Sequence, residues 1–108
     1  MQLIEADKLR QILQGFEGKD VYVHVEVNPG ALLRNVRVKV RQAHLAGTGA
    51  YRIALRIEEE GWIRVEGITH FHIDHRGRLL TAGYDDRNRI AAVLQVGLYP
   101  FDFDGEAV

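Results

Sequence analysis

From Asp20 onward the chain alternates apolar and polar residues with a period of two. Before that point its period is helical. Leu9, Ile12, Leu13 and Phe16 fall at i, i+3, i+4 and i+7, one apolar stripe, which predicts a helix over residues 7–16 lying across a sheet. Asp7 is the expected N-cap and Gly15 or Gly18 the expected stop. Then Val21, Val23, Val25 and Val27 alternate with Tyr22, His24 and Glu26, and Asn28-Pro29-Gly30 signals a turn. Val36, Val38 and Val40 alternate with Arg37, Lys39 and Arg41, ahead of a turn at Gly47-Thr48-Gly49. Tyr51, Ile53, Leu55 and Ile57 alternate with Arg52, Ala54 and Arg56 before Glu58-Glu59-Glu60-Gly61 turns again. Ile63 and Val65 follow, with a phase slip at Gly67 that predicts a bulge. Phe71 and Ile73 oppose His70, His72 and Asp74, and the chain turns at His75-Arg76-Gly77-Arg78. Leu79–Tyr84 and Arg89–Leu98 read as a further hairpin around Asp85-Asp86-Arg87-Asn88. Ile90, Val93, Leu94 and Leu98 would also suit a helix, but a strand apolar on both faces is the preferred reading.

The pattern predicts a mainly β (α+β) protein. An N-terminal helix packs on a curled or barrel-like antiparallel sheet of about seven strands, in a single domain over 1–108. No internal repeat, linker or low-complexity stretch is evident in it. The apolar strand at 90–98 exceeds what one small fold is expected to cover, so a homodimer using that strand or an adjacent edge is expected.

Composition narrows the chemistry. The net charge is −1, with 14 Lys+Arg against 15 Asp+Glu, which disfavours bulk attraction to nucleic acid or to an anionic membrane. Cysteine is absent, which removes disulfides and thiolate chemistry and fits a cytoplasmic protein. No apolar run approaches the ~20 residues of a membrane helix, and the opening Met1-Gln2-Leu3-Ile4-Glu5 does not read as a signal peptide. Serine is absent as well, excluding a serine nucleophile.

Residues 69–77, Thr-His-Phe-His-Ile-Asp-His-Arg-Gly, resemble the T-H-x-H-x-D-H-x-G signature of metallo-β-lactamase-like hydrolases, whose histidines and aspartate hold zinc and generate hydroxide. The context does not match that family. Its αββα sandwich is far longer and draws further ligands from downstream, whereas no histidine follows His75 here. A simpler zinc site on His70, His72 and Asp74 remains an option, because alternation puts them on one strand face at ~6.6 Å spacing; His24 or His44 would have to complete it. The competing reading is a solvated strand face running into a hairpin turn.

The other candidate chemistry is basic. Arg34, Arg37, Lys39, Arg41, Arg52, Arg56 and Arg64 lie in one stretch. An arginine-lined site for a small anion is the favoured reading, with Arg37, Arg41, Arg52 and Arg56 the candidates, since guanidinium matches carboxylate and phosphate. A nucleic-acid-binding β module is the weaker alternative, because only Tyr22 and Trp62 offer stacking surfaces on the polar faces.

The blocks FEGKDVYVHVEV (16–27), GAYRIALRIEEEGWIRVEG (49–67) and GRLLTAGYDDRNRIAAVLQVGLYPF (77–101) resemble the YojF-like family of small uncharacterised proteins from Gram-positive bacteria. That resemblance implies a compact, mostly β protein without assigned catalytic residues. It also implies an accessory role in low-molecular-weight thiol metabolism, in association with a zinc-dependent deacetylase of bacillithiol synthesis. The functional expectation is therefore a partner- or small-anion-binding domain, leaning away from catalysis. A metal-dependent hydrolase using His70, His72, Asp74 and His75 is the principal alternative.

Overall fold

A β-rich chain this short must spend one face of nearly every strand on a common core, and the computed structural model, which describes residues 1–101, shows how. The elements run β1 (Gln2–Leu3), α1 (Ala6–Gln14), β2 (Asp20–Val27), β3 (Ala31–Gly47), β4 (Tyr51–Ile57), β5 (Gly61–Ile68), β6 (His70–Ile73), β7 (Leu79–Tyr84) and β8 (Ile90–Gly97). They form one eight-stranded sheet in the order β1-β6-β7-β8-β2-β3-β4-β5, every pairing antiparallel.

The expected helix, strands and hairpins are present, with four differences. The sheet has eight strands rather than seven, because Gln2–Leu3 pairs with Phe71 and His70 of β6; two residues carry too little periodicity to be read. The sheet curls but does not close into a barrel, since β1 and β5 remain its two ends. Asp7 lies inside the first turn of α1, where Arg10 pairs with it at 3.3 Å; Glu5 holds the N-cap position without a side-chain cap bond. Finally, β3 is 17 residues long. Its first half pairs with β2 and its second half with β4, with a register shift between Val40 and Gln42 where it bends from one neighbour to the other.

Curling brings β5 back over β7. A methyl built on Gly83 of β7 would sit 1.8 Å from the Gly67 carbonyl oxygen, so two backbones touch where most strands are separated by side chains. Gly67 itself has φ +76° and lies in the bulge, with the β4–β5 register shifting between Tyr51 and Ile53. The chain then passes through Thr69, whose N–H donates to the Ala82 carbonyl (3.0 Å) and whose carbonyl accepts from Ile4 (3.0 Å). The concave face is filled by Val21, Val23, Val40, Ile53, Leu55, Ile68, Phe71, Leu79, Leu94 and Val96, and Leu9 and Leu13 of α1 close it with Phe16 of the turn that follows. Full burial of one such side chain is worth roughly 1.5–3 kcal/mol, enough to hold a nine-residue helix that would be marginal alone. Thr81 is polar but fully buried, and its hydroxyl donates to the Leu94 carbonyl at 2.7 Å.

The strand at 90–98 is a strand and not a helix. It lies in mid-sheet between β7 and β2. Ala92, Leu94 and Val96 enter the core and Val93 is buried on the other face, while Ile90 and Leu98 at the two ends are exposed. Nearby, the Arg78 guanidinium lies 5.0 Å from the Phe101 ring centre and the Arg78 stem covers Gly97.

One turn is built twice. Asp74-His75-Arg76-Gly77-Arg78 and Asp85-Asp86-Arg87-Asn88-Arg89 share the pattern Asp-x-Arg-(Gly/Asn)-Arg. In each, one aspartate oxygen accepts the backbone N–H groups two and four residues on, and the other pairs with the last arginine's Nε, at 2.6 Å for Asp74–Arg78 and 2.9 Å for Asp85–Arg89. The fourth residue takes positive φ, +74° at Gly77 and +62° at Asn88, which glycine and asparagine tolerate. Burial alone would raise the Asp74 pKa, but the hydrogen bonds from Arg78 and the Arg76 amide outweigh it and hold the carboxyl below the usual aspartate range. The sign follows from linkage: a depressed native pKa stabilises the fold above the ordinary aspartate pKa, and that contribution disappears as pH falls through the native value. Asp74→Asn should cost about 2 kcal/mol at neutral pH. The gap to the parent in thermal melts should narrow below about pH 4; a gap independent of pH would show that the charge is not what the turn uses.

Candidate anion site on the outer face

The outer faces of β3, β4 and β5 are opposite the core, and register decides which side chains meet there. His44 pairs with Ala54 and Ala54 with Arg64; Ala46 pairs with Arg52, and Arg56 with Trp62. Large side chains thus surround Ala46 and Ala54, whose methyls form a low floor. The result is an open cleft of about 540 Å³ lined by His44, Ala46, Arg52, Ala54, Trp62 and Arg64, a size that suits one small ligand.

Trp62 is 56% exposed. Its ring contact is with His44, centroids 5.9 Å apart and planes inclined by 34°. His44 Nε2 is also 3.3 Å from the Gln42 amide oxygen. The two arginines differ. Arg52 is engaged by Glu66, with Nε at 2.8 Å and Nη2 at 2.6 Å from the same carboxylate oxygen. The hydrogen bond from Arg52, and then its charge, hold the Glu66 carboxyl below the usual range, and Arg64 adds a smaller pull. Arg64 forms no hydrogen bond or ion pair among the described residues. Two guanidinium groups against one carboxylate leave the cleft with a net positive charge beside an apolar floor.

The four arginines singled out from sequence do not converge. Arg52 lines this cleft. Arg41 and Arg56 share a shallower hollow of about 340 Å³ with Gln42, Glu58 and Glu59, where Arg41 Nε donates to the Glu58 carbonyl (3.2 Å) and Arg56 to the Glu59 carbonyl (3.4 Å). Arg37 stands on the β2–β3 ladder opposite Tyr22, 3.3 Å from Asp20. Arg64, His44 and Trp62 join Arg52 instead. The signal that could have grouped them is turn position: turns centred on Thr48-Gly49 and on Glu59 set His44 opposite Ala54 and Ala54 opposite Arg64.

The histidine-rich segment is β6 entering the first of the twin turns. Phe71 is buried and Ile73 packs against the core, as alternation predicts. His70 Nδ1 lies 2.7 Å from the Thr69 hydroxyl, and its ring meets Tyr84 edge-on at 5.2 Å. Asp74 gives both oxygens to Arg78 and the turn amides. Among the described residues no group of three or more His, Cys, Asp or Glu is placed to hold a metal ion. No helix of the described residues is long and apolar enough to cross a membrane.

Comparison with known proteins agrees with this architecture. Residues 3–101 match the family described as "Protein of unknown function (DUF1806)". The chain is 33% identical over 115 aligned positions to "Uncharacterized protein YojF" of Bacillus subtilis (strain 168), covering 94% of this chain and 98% of that one. The crystal structure of the Bacillus subtilis YojF protein superposes with a TM-score of 0.87 at 34% identity, over 94% of this chain and 97% of that chain. A helix-plugged, curled antiparallel sheet, matched nearly end to end in sequence and in structure, places this chain in the YojF-like DUF1806 family.

Proposed function

We propose that the protein is a cytoplasmic, non-catalytic binding domain that holds a small anion on the outer face of β3, β4 and β5. One observation carries the reading: Arg64 lines a ligand-sized cleft without a hydrogen bond or ion pair among the described residues, beside an Arg52 whose geometry Glu66 fixes. A preset guanidinium and an unengaged one suit a carboxylate or phosphate, whose oxygens accept from both. The cleft is complete within one chain, so the proposal does not require the homodimer. The accessory role in bacillithiol metabolism implied by the family resemblance fits the same reading, with an anionic metabolite as the cargo. The hydrolase alternative gains no support, because Asp74 is committed to its turn.

Calorimetric titration with ribose 5-phosphate tests the proposal. Arg64→Gln should weaken binding roughly tenfold to a hundredfold, the loss expected when a charged hydrogen-bond donor is removed. Arg37→Gln, on a neighbouring ladder, should leave it unchanged. Equal losses in both variants, or no binding to the parent, would refute the site.

A further inference from the structure

A bare anion would use only part of this cleft. The arginines form its rim, but its floor is Ala46 and Ala54 and its wall is the indole of Trp62. A singly exposed apolar side chain needs no explanation. Trp62, however, stands over small residues that leave the space above the sheet unfilled, with cationic groups on the same rim. His44, tilted and 5.9 Å away, does not cover the indole by stacking. Aromatic faces left open beside a guanidinium favour a flat π-system attached to a negative charge.

Resting on the anion-binding reading above, we infer that the ligand class is an anion carrying a flat aromatic ring, of the mononucleotide type. The observations favour one ring over a nucleic-acid strand. Strand binders line several stacking aromatics along a basic groove, and among the described residues Trp62 is the only tryptophan, tyrosine or phenylalanine in the lining. Tyr22 is on β2 opposite Arg37, and the exposed Tyr84 is on β7 against His70. The groove is also not continuously basic: Arg41 and Arg56 bond to backbone carbonyls of the β4–β5 turn on one side, and Glu66 occupies the other.

Trp62 is the sole tryptophan in the chain, so its emission reports directly on stacking. Four probes on the full chain separate the possibilities: AMP, ribose 5-phosphate, adenosine and a ten-nucleotide oligothymidine. AMP should quench Trp62 and bind at least about tenfold more tightly than ribose 5-phosphate, the lower part of the range for stacking one base on an aromatic side chain. By calorimetry, Trp62→Ala should erase the preference for AMP over ribose 5-phosphate, while Trp62→Phe should keep most of it. Equal affinity for AMP and ribose 5-phosphate would overturn the ring inference and leave the anion reading standing. Adenosine binding as tightly as AMP, or no binding by any probe, would overturn both. Much tighter binding of the oligonucleotide would overturn the mononucleotide assignment in favour of a strand-binding surface.

Discussion

Replacing Gly83 with alanine should leave little folded protein, although the change adds one methyl group. That methyl would fall 1.8 Å from the Gly67 carbonyl oxygen and 2.8 Å from its carbon. Both are backbone atoms, so no rotamer change relieves the clash. Gly67 cannot simply withdraw, because the adjoining Thr69 is fixed to Ala82 and to Ile4 by backbone hydrogen bonds. The sheet would have to uncurl, pulling Ile68 from the core. We expect a loss of about 3 kcal/mol or more, beyond ordinary overpacking because the obstacle is main chain, and a melting temperature lower by more than about 10 °C. Gly49→Ala is the matched control: nothing lies within 4 Å of its added methyl, and its melting temperature should barely move. A Gly83→Ala protein as stable as the parent would mean that β5 does not cross β7 as described.

The second large effect concerns the segment that most resembles a catalytic motif. Phe71→Ala should cost about 3–5 kcal/mol, the range for emptying a fully buried aromatic site. Phe71 is only 1% exposed and packs in the core, with the Lys8 ammonium of α1 lying 5.8 Å from its ring centre. His72→Ala, one residue on, should change stability by no more than about 0.5 kcal/mol, because His72 is exposed on the other face of β6. Chemical denaturation of the two variants gives the comparison. A large cost at His72 with a small one at Phe71 would reverse the facing of this strand.

These two residues also show what the sequence could reveal. The inward facing of Phe71 and Ile73 was legible because one face of β6 is buried and the side-chain period is two. The slip at Gly67 was legible for the same reason, since a bulge breaks the alternation. The Leu9–Phe16 stripe showed the helix, although its start was misread: Asp7 favours the first turn by charge as well as by capping. The first half of β3 was hidden because Ala31-Leu32-Leu33 is an apolar run and Asn35 takes positive φ, interrupting the period. The twin turns do not stand out as a repeat in the sequence because their unit is five residues. Openness of the sheet was not legible, since no local pattern records whether its end strands pair.

The site was half legible for a related reason. Arg52 was identifiable as a basic residue on a polar strand face, but so were Arg37, Arg41 and Arg56. What distinguishes them is their neighbours across the ladder: Asp20 for Arg37, turn carbonyls for Arg41 and Arg56, and the alanine floor for Arg52. Those neighbours are set by register, a long-range property, whereas alternation is local. Trp62, His44 and Arg64 each stood out individually, and only pairing across three strands makes them one surface.

Amide and side-chain NMR during titration with AMP locates the bound anion most directly. The expected result is a saturable shift of the Trp62 indole Nε1–H together with Arg52, Ala54 and Arg64, while Arg37 and the His70–Asp74 segment stay fixed. Shifts centred on His70, His72 and Asp74 or on Arg37, with Trp62 unmoved, would contradict it.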